Sequence, residues 1–276
     1  MKLVDPKVKL LPQAPGLGGV FKQIELVGRT CYKSENKITE DSAKPFVDRM
    51  IASKHYAMLE HGTIYLMIPV GGKTEEDAAL TSVILDNKYT KWVPHINASG
   101  DIFFAVTTNY RVIIENSYQK ALKWLSEPSV HIKRICLKFN TDIGVSREGN
   151  RHRVFSIAEQ STRYCNYSKE KFGSELTFLN PFWDITPEQY DKLTTQLKSA
   201  EKTYMDLINL GCKPQEARIV LPLDTATEVV YTAFEDDWKH FFDLRMRGLT
   251  GKPHPSMQKV AEEAHKLIKN NLNIDL

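Results

Sequence analysis

The chain contains no apolar run approaching the roughly 20 residues needed to cross a bilayer, and its opening, MKLVDPKVKLLPQ, has no long hydrophobic segment of the kind a secretory leader carries. A cytoplasmic protein with no membrane partner is therefore expected. Cysteine is scarce: Cys31, Cys136, Cys165 and Cys212 are scattered and form no C-x-x-C pair, so neither a zinc knuckle nor a dithiol redox motif is indicated. Four reduced thiols and no metal site are the expectation. Internal repeats and low-complexity tracts are missing, and Gly and Pro are spread too evenly to mark a linker. A net charge of +3 is too small to draw the chain to nucleic acid by bulk electrostatics, so no nucleic-acid partner is expected.

What is present suits a substantial core: 276 residues with 42% apolar and 10% aromatic side chains, enough for a single continuous domain over residues 1–276. Residues 41–55 place Phe46, Val47, Met50 and Ile51 at helical spacing, and residues 63–70 read as a β-branched and aromatic strand. Residues 71–100 are polar, bounded by Gly, with a strand-like core at 80–85, and resemble an insertion. Residues 101–108 read as a strand, 110–125 as a helix striped by Ile113, Ile114, Tyr118, Leu122 and Trp124, and 134–139 as another strand. Strong helical periodicity follows at 187–210 and 256–272, with a strand at 228–234. The expected class is α+β, mixing helices with antiparallel sheet.

The most unusual stretch is VSREGNRHRVFSIAEQSTRY at residues 145–164. There Arg147, Arg151, Arg153 and Arg163 join His152 around only two carboxylates, Glu148 and Glu159. Guanidinium groups bind phosphate oxygens through paired, planar hydrogen bonds, and Gln160, Ser161 and Thr162 add neutral donors, a mixture suited to a phosphorylated small molecule. A solvated face or an intersubunit salt-bridge network is the bland alternative. Against it, Val154, Phe155, Ile157 and Ala158 are interleaved with the charges, so the segment is partly buried and its arginines need partners. Arg218 in EARIVLPL reads either as a helix-terminal ion pair or as a further anion contact. In KHFFDLRMRG, Arg245 is three positions from Phe242, which places its guanidinium near an apolar helix face where a bound anion or polar ring would offset its burial.

Arg151-His152-Arg153, followed by seven residues and then Ser161, is similar to the signature of flavin-dependent thymidylate synthases, and the likeness continues through Glu159, Gln160, Arg163 and Tyr164. His55 with Leu59-Glu60-His61 resembles that family's histidine segment before a strand, and the run from Ala217 to Pro222 resembles its ARxVLP element. His240-Phe241-Phe242 with Leu244-Arg245, then His254-Pro255, resembles its closing segment. The resemblance implies a homotetramer of α+β subunits, with active sites built from several subunits around FAD. It implies conversion of dUMP to dTMP, with 5,10-methylenetetrahydrofolate as carbon donor and NADPH as reductant.

Carried over by position, His55, Arg151, His152, Arg153, Glu159 and His240 are implied flavin contacts. Glu148, Arg151, Glu159, Gln160, Ser161, Arg163, Arg218 and Arg245 are implied dUMP contacts. The chain departs from the common pattern at Glu148, where many relatives carry Gln, at Cys31, where they carry Ser, at Ala57, where some carry a hydroxyl, and at Phe234-Glu235-Asp236, where others include Asn and Arg. No cysteine sits in a Pro-Cys setting, so no thiol nucleophile is assigned. Arg245 is the expected catalytic residue, a cation set against the pyrimidine ring to favour its ionised form. Arg163, Arg218 and Ser161 are expected to hold phosphate and orient the ring. Two other readings compete: a nucleotide- or flavin-binding relative without activity, and a nucleic-acid-binding protein stacking bases on Phe155, Tyr164 and Tyr167.

Overall fold

The computed structural model describes residues 1–276 except Lys73 and Phe182. It begins with two short strands, β1 (Lys2–Val4) and β2 (Lys7–Leu10), and a helix α1 (Gly16–Thr30). Helix α1 was not visible in the sequence pattern because its glycines depress helix propensity. At Gly28 the reason is packing: a Cβ there would lie 2.6 Å from the Phe46 ring, so only glycine admits the neighbouring helix α2 (Ala43–Ala52). Strand β3 (Thr63–Pro69) follows.

Within residues 71–100 the expected strand at 80–85 is a helix, α3 (Glu75–Leu85). The reason lies at its start. Thr74 accepts a hydrogen bond from the Asp77 N–H (3.1 Å), and Glu75, Glu76 and Asp77 in the first turn oppose the helix dipole, which outweighs a short apolar run. Strand β4 (Lys91–Ile96) then adds to the edge of β5 (Ile102–Asn109), with Pro94 tolerated because that edge is open.

The helix expected over 110–125 is broken. α4 (Tyr110–Glu115) ends at Asn116, Ser117 takes a positive φ of 60°, and a separate 3-10 turn covers Gln119–Trp124. The apolar stripe still packs inward: Ile113 is buried and Tyr118, Leu122 and Trp124 lie against the same core.

Next come β6 (Arg134–Asp142), α5 (Ile143–Gly149), β7 (Ser156–Glu159), β8 (Thr177–Leu179), α6 (Pro187–Asn209), α7 (Pro214–Ala217), β9 (Ala226–Phe234), α8 (Glu235–Arg245) and α9 (Pro255–Leu272). Strands β2, β6, β9 and β7, in that order, form an antiparallel sheet, β3, β5 and β4 a second one, and β1 pairs in parallel with β8. The class is α+β, as the sequence implied. Helices α8 and α9 cover one face of the four-stranded sheet, where Trp238, Phe241, Phe242, Val260 and Ile268 are fully buried against Phe139 and Tyr231. Burying aromatic side chains of this size contributes about 2–3 kcal/mol each, enough to fix α8 and the residues on its outer face. No helix among the described residues is long and apolar enough to cross a membrane.

Candidate functional site

The basic segment is not one helix. It is helix α5, a loop over residues 150–155, strand β7 and a turn, and this division decides where each charge points. Asp142 caps α5 by accepting from the Val145 N–H (2.7 Å). The helix ends hard against the sheet at Gly149, where a Cβ would lie 2.2 Å from the Tyr231 hydroxyl. Tyr231 instead donates to the Ser146 carbonyl (3.1 Å) or the Asn150 side chain (3.0 Å).

Strand β7 runs antiparallel to β9, with Glu159 opposite Val229, and the chain then leaves the sheet. The Ser161 N–H donates to the Cys31 carbonyl (2.9 Å), and the Ser161 carbonyl accepts from the Tyr164 and Cys165 N–H groups (3.2 and 2.9 Å). These bonds fix a turn that presents Ser161, Thr162 and Arg163 outward. Opposite, the 3-10 turn Arg218–Val220 after α7 brings up Arg218, whose Nη1 donates to Thr162 Oγ1 (3.1 Å).

Between these walls lies a cleft of about 960 Å³, bordered by Ser146 and Arg147 of α5, Glu159 to Arg163, and Gln215 to Leu223. Its size is in the range of small-molecule sites, roughly 300–1,000 Å³. Arg147, Arg163 and Arg218 are exposed and have no carboxylate within ion-pair distance among the described residues. The Arg163 guanidinium makes a long contact to Gln215 Oε1 (3.5 Å) and lies over the Tyr164 ring. Glu159 is already satisfied by Ser146 Oγ (2.7 Å), Thr227 Oγ1 (3.2 Å) and Asn150 Nδ2 (3.3 Å). Glu216 accepts from the Lys213 N–H (2.7 Å). The cleft thus offers unpaired guanidiniums beside carboxylates that are otherwise engaged, which is what an anionic ligand needs.

Five of the sequence-predicted residues meet here: Glu159, Gln160, Ser161, Arg163 and Arg218. Gln160 is buried and its amide faces the Tyr167 hydroxyl (3.4 Å). Arg147, Thr162 and Gln215 border the cleft without having been placed in the expected site, although Arg147 and Thr162 lie within the conspicuous basic segment. Gln215 carried no such signal beyond its nearness to Arg218.

The other expected residues lie elsewhere in the chain. Arg245 is on the far side of α5, where its Nη1 donates to Glu148 Oε2 (3.1 Å), its Nη2 to the Glu148 carbonyl (3.1 Å) and its Nε to His152 Nε2 (3.2 Å). His152 is buried between Phe155, Phe241 and His240. Burial, then the Arg245 charge, hold its pKa down at about 4, so it is a neutral acceptor for Arg245. Arg151 and His240 are exposed, Arg153 borders a separate cavity, and exposed His55 immediately precedes the 3-10 turn Tyr56–His61. The expected convergence of the elements at 151, 218 and 245 on one cavity therefore does not occur within a single chain, because α5 stands between Arg245 and the cleft.

Base stacking, a thiolate nucleophile and an activated serine each find little support in this geometry. Phe155 and Tyr167, offered as base-stacking rings, are buried, leaving Tyr164 alone exposed. Burial also pushes the Cys31 and Cys136 thiols up to about 11, so neither is poised as a thiolate nucleophile at neutral pH. Ser161 Oγ accepts from the Arg163 N–H (3.3 Å), and no histidine bonds to it among the described residues, so no activated-serine arrangement is present.

Fold and cleft together describe an α+β protein with an arginine-lined cleft. A family model described as thymidylate synthase complementing protein matches residues 130–272, which spans both the cleft and helix α8. The chain belongs to this family. It is 33% identical over 97 residues to the flavin-dependent thymidylate synthase of Pyrococcus furiosus, covering 35% of this chain and 39% of that one. To the Thermotoga neapolitana flavin-dependent thymidylate synthase it is 30% identical over 103 residues, 37% and 48% of the two chains. The match thus spans less than half the length of these two relatives. With the Pseudothermotoga lettingae flavin-dependent thymidylate synthase it shares 26% identity over 179 residues, 60% of this chain and 79% of the relative.

Proposed function

We propose that the protein is a flavin-dependent thymidylate synthase that converts dUMP to dTMP, taking its carbon from 5,10-methylenetetrahydrofolate and its reducing equivalents from NADPH by way of FAD. The observation that carries this reading is the cleft, in which Arg147, Arg163 and Arg218 face solvent without carboxylate partners among the described residues, beside Ser161 and Gln160. Bidentate guanidinium bonds suit a phosphate monoester, and the Ser161 and Thr162 hydroxyls and the Gln160 amide suit a pyrimidine's neutral edges.

Arg218 and Arg163 hold the phosphate, and Ser161 orients the nucleotide. Glu159 fixes the cleft floor through Ser146, Thr227 and Asn150. Arg245 is held rigid by Glu148 and His152 and is presented to the cleft of a neighbouring copy in a homotetramer, where its cation favours the ionised pyrimidine. Glu148 and Arg151 border that same intersubunit site.

The residues implied for FAD fit it unevenly. Arg151, Arg153, His55 and His240 are exposed, and the two arginines have no ion pairs among the described residues, so their donors are available to a pyrophosphate. His152 has one ring nitrogen committed to Arg245 and its faces packed, so it orients Arg245 rather than touching the flavin. When bound and reduced by NADPH, FAD would supply the reducing equivalents that turn the transferred one-carbon unit into a methyl group.

The test is direct. Purified protein should be yellow and should release tritium from C5-labelled dUMP when methylenetetrahydrofolate and NADPH are both present. A colourless protein that binds dUMP and releases no tritium would favour the inactive-relative reading.

A further inference from the structure

Along the run that borders the cleft, exposure rises step by step: Gln160 is buried, Ser161 and Thr162 are half-buried and Arg163 is exposed. Gln160 therefore stands at the inner end, away from the guanidiniums at the mouth. Its backbone is held in place, because the Gln160 N–H donates to the Glu228 carbonyl (2.8 Å) and the next N–H, that of Ser161, to the Cys31 carbonyl (2.9 Å). Only the side-chain torsions are left free, and a second residue restrains those. Gln160 Nε2 donates to the Tyr167 hydroxyl (3.4 Å), the one hydrogen bond of this amide among the described residues.

Tyr167 is itself fixed. It is 5% exposed, and its ring meets those of Phe172 (centroids 5.1 Å apart) and Tyr204 (5.6 Å) edge to face, in a core cluster that also contains Ala217, the residue before Arg218. Burial pushes its hydroxyl well above the usual tyrosine range, so it stays a neutral O–H at working pH. The orientation of the Gln160 amide follows from charge. Arg147, Arg163 and Arg218 have no carboxylate partner among the described residues, and their positive field draws the carbonyl end of the amide toward the cleft while the NH2 turns inward to Tyr167. The side chain thus offers the cleft an acceptor rather than a donor.

An acceptor at that depth suits a ring with an N–H. Uracil carries a donor at N3, whereas cytosine carries a bare lone pair there, and two acceptors facing each other at the buried end of a cleft repel and go unsatisfied. Resting on the dUMP reading of the cleft, we propose that Tyr167 is a positioning residue that holds the Gln160 carbonyl toward the ligand, where it accepts the N3–H of uracil and so selects a uracil over a cytosine nucleotide. The contact belongs to the neutral ring as it binds, so affinity reads it without turnover.

The test titrates the full-length protein calorimetrically with dUMP, dCMP and deoxyuridine. Wild type should bind dUMP about tenfold more tightly than dCMP, since a site built for a donor rejects a ring that lacks it. Tyr167→Phe keeps the packed ring and frees the amide to turn its NH2 to the cleft, so the preference for dUMP over dCMP should fall roughly fivefold, the scale of one neutral hydrogen bond. The preference for dUMP over deoxyuridine, which reads the phosphate, should stay unchanged. Gln160→Leu should abolish the base preference and likewise spare the phosphate preference. Equal wild-type affinity for dUMP and dCMP, or a base preference that survives in both variants, would overturn the proposal and leave the phosphate site standing. A Tyr167→Phe protein with a lower Tm and both nucleotides weakened alike would make Tyr167 structural and also overturn it. Absence of any dUMP binding would remove the dUMP reading itself, and this proposal with it.

Discussion

Arg218 and Arg245 carry the same guanidinium but stand in opposite states. Arg218 is exposed, and its side chain bonds only the Thr162 hydroxyl among the described residues, whereas Arg245 is largely withdrawn from water and engages the Glu148 carboxylate, the Glu148 carbonyl and the His152 ring. One is free to take a ligand's phosphate. The other is already satisfied, so its value lies in being held at a fixed position and charge. The difference separates binding from preorganisation, and four outcomes would break or sharpen it.

Arg245→Ala should have the largest effect. Thymidylate formation should disappear while FAD is retained, and Tm should fall because Glu148 loses its cation and His152 its donor. Absorbance of bound flavin together with tritium release measures both; loss of the flavin would make Arg245 a cofactor residue instead.

Acid should act next, and through the satisfied region. His152 is held at about 4 and fully buried His61 at about 3, against 6.5 for either free side chain. Below pH 6.5 the unfolded chain takes up protons that the folded chain refuses, so stability is complete above that pH and falls as pH drops toward 4. The His152 contribution is roughly 3 kcal/mol over that window. Urea midpoints measured from pH 7.5 down to 4.5 should decline, and His152→Gln should flatten the decline; a flat wild-type curve would mean that neither ring resists protonation more in the folded chain than in the unfolded one.

Arg218→Ala should weaken dUMP binding on the order of 30-fold, the scale of a lost charge-assisted hydrogen-bond pair, with little change in Tm. Ser161→Ala should have the smallest effect, a roughly fivefold loss of dUMP affinity from one neutral hydrogen bond. Its single-turnover rate should be near wild type, and a complete block of chemistry with intact binding would instead make Ser161 a nucleophile.

The same contrast explains what the sequence could and could not reveal. Runs rich in β-branched and aromatic residues at β3, β5, β6 and β9 and helical periodicity at α6 and α9 were legible because burial in a sheet or along one helix face leaves that composition in the sequence. Helix α1 was not, since close contacts such as Gly28 against Phe46 impose residues that look like breakers. Helix α3 misled through a short apolar run whose fate was decided by its cap. Glu159 to Arg163 could be read as one group because they are contiguous in a strand and turn. That Arg245 lies across α5 from the cleft could not, because it depends on which side of that short helix faces Tyr231, a tertiary fact with no local signature.

The central claim is that the open guanidiniums of the cleft grip a nucleotide phosphate, and titration of the protein with dUMP and with deoxyuridine tests it most directly. The account predicts that dUMP binds far more tightly than deoxyuridine and that Arg218→Ala removes most of that difference. Equal affinity for the two compounds, or a difference that survives in Arg218→Ala, would contradict it.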